Sequence, residues 1–210
     1  MKRIRFIAVL AAALVITVAP QAGSGATYDI VAPQSTIEVA VFSGGPLGVF
    51  GHDHLIAAET FSGSARFNPG RVEESTLTLT VAADSLTVLD PGLPEQDRRE
   101  VQATMLGAEV LAVESFPRIV FRSSGVRDIR PVASGWEVIL TGRLTLHGVE
   151  QPISFPLRVW LDNGRLYGQG EVSLVQSKFG IRPLRIAGGL VRVKDRVRVR
   201  FTVAAAQGEP

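Results

Sequence analysis

Residues 135–161, GWEVILTGRLTLHGVEQPISFPLRVWL, alternate between apolar and polar side chains with a period that only paired strands use. Trp136, Val138, Leu140, Leu144 and Leu146 share one parity, with Gly142 among them. Glu137, Thr141, Arg143, Thr145 and His147 hold the other. Successive side chains of a strand point to opposite faces, so this arm has one dry and one wet face. After His147-Gly148 the alternation resumes, with Ile153, Phe155, Leu157 and Val159 set against Ser154, Arg158 and Trp160. Two half-buried strands joined by a tight glycine-containing turn make a β-hairpin. Pro152 and Pro156 cannot donate to a ladder, which places them at an edge, a bulge or the polar face. A lone hairpin is marginal in water, so the rest of the chain must close over its apolar face.

Most of the chain is patterned to do so. Residues 27–31 and 35–42 read as strands, with Ile37, Val39 and Val41 on one face and a turn at Ala32-Pro33-Gln34. Residues 43–51 form a glycine-rich loop, and 54–68 a further strand region with a bulge or bend expected at Ser62-Gly63. Along 75–85, Leu77, Leu79, Val81 and Ala83 oppose Thr76, Thr78, Thr80 and Ala82. Strands are expected at 118–123 and 165–176, and a last hairpin at 190–205, where Val197, Val199, Phe201 and Val203 oppose Arg196, Arg198, Arg200 and Thr202. Only residues 94–107 carry helix signals: Pro94 near the start, acids in the first turn and Gly107 at the end. About eight to ten antiparallel strands with one helical insertion fit either a closed barrel or a two-sheet sandwich, and strands this long favour a bent, closed sheet. A barrel of about eight strands has room for packed side chains or one small ligand.

The first 26 residues read as a leader rather than as fold. Lys2, Arg3 and Arg5 precede an apolar run of 13 residues and a small-residue end at Ser24-Gly25-Ala26. This is the pattern of a cleaved secretory signal peptide; a membrane anchor needs about 20 apolar residues. The expected organisation is a leader at 1–26, one barrel domain at 27–205 and a disordered tail at 206–210, in a periplasmic or secreted protein. Without Lys2, Arg3 and Arg5, Lys plus Arg falls from 22 to 19 against 20 acids, and the net charge moves from +2 to −1. That argues against a nucleic-acid partner. The charge is uneven: residues 178–200 hold eight basic side chains and one acid, Asp195.

The order Tyr28-Asp29-Ile30, Ser35-Thr36-Ile37, Leu47-Gly48-Val49, Phe61-Ser62-Gly63, Phe116-Pro117-Arg118-Ile119-Val120-Phe121, Leu144-Thr145-Leu146-His147-Gly148-Val149, Pro152-Ile153 and Ser177-Lys178-Phe179-Gly180-Ile181 resembles the YceI-like family across nearly the whole chain after the leader. The resemblance implies an all-β, lipocalin-like antiparallel β-barrel with a short helical insertion. It also implies a cavity that holds a long isoprenoid chain, such as a polyprenyl tail or a quinone-type molecule, with no other cofactor. Such a chain needs a long dry tunnel, and burial contributes roughly 25 cal/mol per Å² of apolar area. The inward positions expected to line it are Phe42, Leu79, Val81, Phe121, Leu140, Leu144, Phe155, Leu157, Val172, Leu174, Val199 and Phe201. The simpler role for any one of them is core packing.

The catalytic inventory is thin. The chain has no cysteine and three histidines, and it lacks G-x-S-x-G, H-E-x-x-H and phosphate-loop motifs. His52-Asp53-His54 is the one sharp feature, because histidines two apart on a strand share a face and can share a metal. His147 is then the third histidine available, although its place in a turn suits a structural hydrogen bond. An apolar-chain carrier is therefore set against a metal-binding barrel or metal-dependent enzyme using His52, His54 and His147, and against a filled structural barrel. Arg196, Arg198 and Arg200 share one strand parity and should face water, where they either attract an anionic membrane surface or guard against edge pairing. A homodimer is compatible with this pattern.

Overall fold

The computed structural model describes residues 25–45, 53–186 and 190–208. The leader apart from its last two residues, and His52, lie outside the described residues. In chain order the strands are β1 (Ala26–Ile30), β2 (Thr36–Val41), β3 (Ser43–Gly44), β4 (His54–Ala58), β5 (Phe61–Phe67), β6 (Thr76–Ala82) and β7 (Leu86–Val88). Helix α1 (Glu95–Leu106) follows, then β8 (Arg118–Val132), β9 (Gly135–Leu146), β10 (Val149–Asp162), β11 (Arg165–Val175), β12 (Arg185–Ile186), β13 (Val191–Val193) and β14 (Arg196–Gln207).

Eight of these strands close a ring in the order β1-β5-β6-β8-β9-β10-β11-β14, with β14 returning to β1, and each pairing is antiparallel. The fold is thus the closed barrel and not the sandwich. β14 carries a second partner on its β1 edge: residues 198–202 pair with β2 and residues 205–207 with β1. Ser35 sits at this junction, where its Oγ donates to Val31 O at 2.9 Å and accepts the Ala204 N–H at 3.0 Å. The hydroxyl satisfies the backbone where the ladder changes strands, as buried polar groups require. From β2 the sheet continues into β4 and β7, a three-strand extension against which α1 packs.

The central hairpin forms as expected. His147 and Gly148 have φ of 51° and 72°, the two positive values of a type I′ turn whose twist matches its strands. Pro152 and Pro156 point outward, in the half of β10 that has no β11 partner, so no ladder bond is lost on that edge. Inward residues of this hairpin are buried or half-buried, while Arg143 and Glu150 form an ion pair on the outside.

Four expectations are corrected. The break expected at Ser62-Gly63 falls instead at Glu59-Thr60, and β5 runs straight through Gly63. Glycine is needed there for close approach: a Cβ on Gly63 would stand 2.1 Å from Thr78 O. The strand at 118–123 continues to Val132, because two register shifts let a polar stretch stay paired with β9. No hairpin spans 190–205. β13 leaves β14 and joins β12 and β3 in a separate three-stranded sheet. Finally, the strand does not stop at residue 205: Ala206 and Gln207 pair with Asp29 and Tyr28, so the closing seam uses the first residues of the expected tail.

Candidate functional site

The register fixes two ends. At one lie Phe67, Thr76, Gly135 and the 163–164 turn; at the other lie the 147–148 turn, the start of β14, β3 and His54. The first end carries an aromatic plug, beside which exposed Arg66 and Thr76 also border the hollow. Phe67 and Trp136 meet edge to face at 5.3 Å, beside buried Tyr28, Val159 and Leu166. Aromatic pairs in this geometry add about 0.5–1.5 kcal/mol beyond their area.

Between the plug and the other end runs a cavity of about 730 Å³. Its waist is an aromatic band, with Phe121 and Phe155 at 5.6 Å and Phe155 and Phe201 at 5.7 Å between ring centres. All twelve inward positions read from the alternation line this cavity. β6 supplies Leu79 and Val81, and β9 supplies Leu140 and Leu144. Leu157, Val172, Leu174 and Val199 complete the wall around the band. Phe42 stands at the rim just past β2, beneath the cations of Lys194 at 5.9 Å and Arg198 at 5.5 Å.

The cavity has a second compartment that sequence reasoning missed. Ile37 and Val39 of β2, Ile56 of β4, Leu86 of β7 and Val101 and Met105 of α1 also line it. The signal was present in the Ile37-Val39-Val41 alternation and in the i, i+4 spacing of Val101 and Met105. Nothing local said that the sheet extension would fold over the same hollow. The volume lies within the roughly 300–1,000 Å³ of small-molecule sites.

His54 and His147 are engaged separately. His54 Nδ1 lies 2.6 Å from Asp90 Oδ2, and Asp90 Oδ1 accepts the Leu55 N–H at 2.7 Å. This carboxylate pins the loop that leads into α1 against β4. His147 tilts over Phe116 at 4.6 Å, with Nδ1 3.3 Å from Phe179 O, the structural role its turn suggested. Asp53 Oδ1 accepts both the Ser43 N–H at 2.8 Å and the Ser43 hydroxyl at 3.1 Å. Among the described residues no group of three or more metal-ligating side chains converges.

Outside the barrel, Arg198 and Arg200 both reach Glu171 on β11, at 3.2 and 2.7 Å, so one acid offsets part of the basic row. Arg196 is exposed.

A closed antiparallel barrel around a long apolar hollow defines a lipocalin-like ligand-binding architecture. The YceI-like domain model matches residues 28–205, and the chain belongs to that family. It is 28% identical over 135 residues to the UPF0312 protein of Enterobacter sp. (strain 638), a match covering 64% of this chain and 58% of that relative. Among solved structures, Burkholderia cenocepacia BcnA superposes with a TM-score of 0.66 at 18% identity, covering 84% of this chain and 99% of that one. The Campylobacter jejuni YCEI protein gives 0.53 at 13% identity, over 73% of this chain and 85% of that one. At these identities the two structures speak for the fold alone.

Proposed function

We propose that the protein is a carrier, acting in the periplasm or outside the cell, that holds one long isoprenoid or similar apolar chain in the barrel. The observation that carries this reading is the continuous 730 Å³ hollow, whose waist and walls are aromatic and aliphatic side chains. Membership of a family associated with isoprenoid-type ligands supports it. A packed core of this size would not leave such a volume, because protein interiors close to crystal-like density. Binding without chemistry is the corresponding reading of the site: His54 and His147 are each bound to a partner that fixes the fold.

The test is organic extraction of protein purified from its own host, followed by mass spectrometry. About one long-chain lipid per protein is expected. Protein that yields no lipid and also fails to take up geranylgeraniol overturns the reading.

Such a carrier has to meet a membrane to load. We assign that approach to the outward row Arg196, Arg198 and Arg200, each basic residue near an anionic surface contributing about 1 kcal/mol, with Glu171 offsetting part of the row. Binding to anionic vesicles should be salt-sensitive and should weaken several-fold in an Arg196→Gln, Arg198→Gln, Arg200→Gln variant. Equal binding by the two proteins removes the row from membrane contact.

A further inference from the structure

The end of the cavity opposite the plug is not lined like its interior. Arg182 and Arg192 both line the hollow there and both are exposed, so the cavity meets solvent between them. Arg192 on β13 stands directly opposite Arg185 on β12. Directly opposed residues of an antiparallel pair project from the same face, and like charges in that position destabilise the ladder. A two-residue pairing has little to spare for such repulsion. The arrangement is held by the backbone nonetheless: β13 also pairs with β3, the Val193 N–H donates to Leu184 O at 3.0 Å and the Lys194 N–H to Phe42 O at 2.8 Å.

Among the described residues no acid pairs with Arg182, Arg185 or Arg192. Asp195, the one acid in this part of the chain, is spent on Ser177, whose N–H and hydroxyl it accepts at 2.8 and 2.5 Å. Asp53 is spent on Ser43. The intervening sequences PLGVFGH at 46–52 and AGG at 187–189 contain no carboxylate. Asp97 and Glu100 of α1 line the cavity from another side and repel an anion, which disfavours that side relative to the arginines.

We propose that Arg182 and Arg192, with Arg185 beside them, form a subsite for a single phosphate or carboxylate carried at the end of the apolar chain. This rests on the carrier reading above and adds to it the chemical class of the ligand: an anionic single-chain amphiphile, tail in the barrel and headgroup at the mouth. Guanidinium groups suit this task because their planar donors match both oxyanions and stay charged at every physiological pH. A bound anion also removes the cross-strand repulsion between Arg185 and Arg192, so the empty site stores part of the cost that the ligand relieves.

The test titrates delipidated protein with geranylgeranyl monophosphate, with geranylgeraniol and with inorganic phosphate, at low and moderate salt. The monophosphate is expected to bind about tenfold or more tighter than the alcohol, near 1.4 kcal/mol, with the advantage shrinking as salt rises. In an Arg182→Gln, Arg192→Gln variant, checked for folding by its thermal melt, the ratio of the two affinities should fall toward one. Equal affinities in the unaltered protein overturn the headgroup subsite and leave the carrier reading standing. Failure of both prenyl probes to bind overturns the carrier reading, and the subsite with it. Inorganic phosphate binding as tightly as the prenyl phosphate marks a free-phosphate site and overturns the headgroup assignment. So does loss of anionic-vesicle binding in the variant while the affinity ratio stays unchanged, which reassigns the arginines to a bilayer surface.

Discussion

Replacing Gly135 by alanine is expected to cost about 2–6 kcal/mol of unfolding free energy, a large share of the roughly 5–15 kcal/mol that holds an ordinary domain together. Gly135 opens β9 with φ at 112°, outside the range that residues with a side chain adopt comfortably. Holding such a conformation costs about 1–3 kcal/mol. A Cβ there would stand 2.1 Å from Val159 O and 2.8 Å from Trp160 Cα. β10 must then move away from β9 at the plugged end, where Trp136 packs on Phe67. Forcing atoms into a filled site adds about 1–3 kcal/mol. Urea unfolding followed by tryptophan fluorescence measures the difference. A loss under about 1 kcal/mol would mean that the strands relax freely and the plug is not tight.

The second large effect is on binding. Phe155→Glu should weaken geranylgeraniol binding at neutral pH by at least about a hundredfold. Phe155 is the middle ring of the Phe121-Phe155-Phe201 band and is 6% exposed. Removing it forfeits about 1.5–3 kcal/mol of apolar contact, and an unpaired carboxylate in its place adds several kcal/mol of desolvation. The sign with pH follows from that desolvation. Burial raises a carboxyl's pKa, so the neutral form dominates below the raised value and the charged form above it. Binding and stability of the variant should therefore recover as pH falls and be lost as pH rises. Phe155→Leu, which keeps an apolar side chain there, should lose far less. A folded Phe155→Glu protein with unchanged affinity would place the chain outside the barrel.

Much of this wall was legible because strand alternation is local. Val197, Val199, Phe201 and Val203 read as one face from four residues of context, and all four border the cavity. The 147–148 turn was legible for the same reason, since His-Gly between alternating arms leaves few other conformations. Less was legible where pairing depends on a distant partner. Residues 124–132 are too polar to announce a strand, yet they pair with β9 through two register shifts. His54 looked like a ligand because its true partner, Asp90, lies 36 residues away on a loop.

The sequence by itself determined the strand faces, the central hairpin, the single helix and the apolar character of whatever those faces enclose. Periodicity and turn chemistry act over a few residues, and the chain cannot evade them. Tertiary structure alone decided that Ala206 and Gln207 close the ring on Asp29 and Tyr28, and that β13 abandons β14 for β12 and β3. It alone brought Arg182 and Arg192 to the mouth of the hollow whose waist Phe155 helps to form. Those outcomes turn on which edges find each other after collapse. The ladder bonds use backbone groups common to every residue, so local alternation gives a strand its faces without naming its partner.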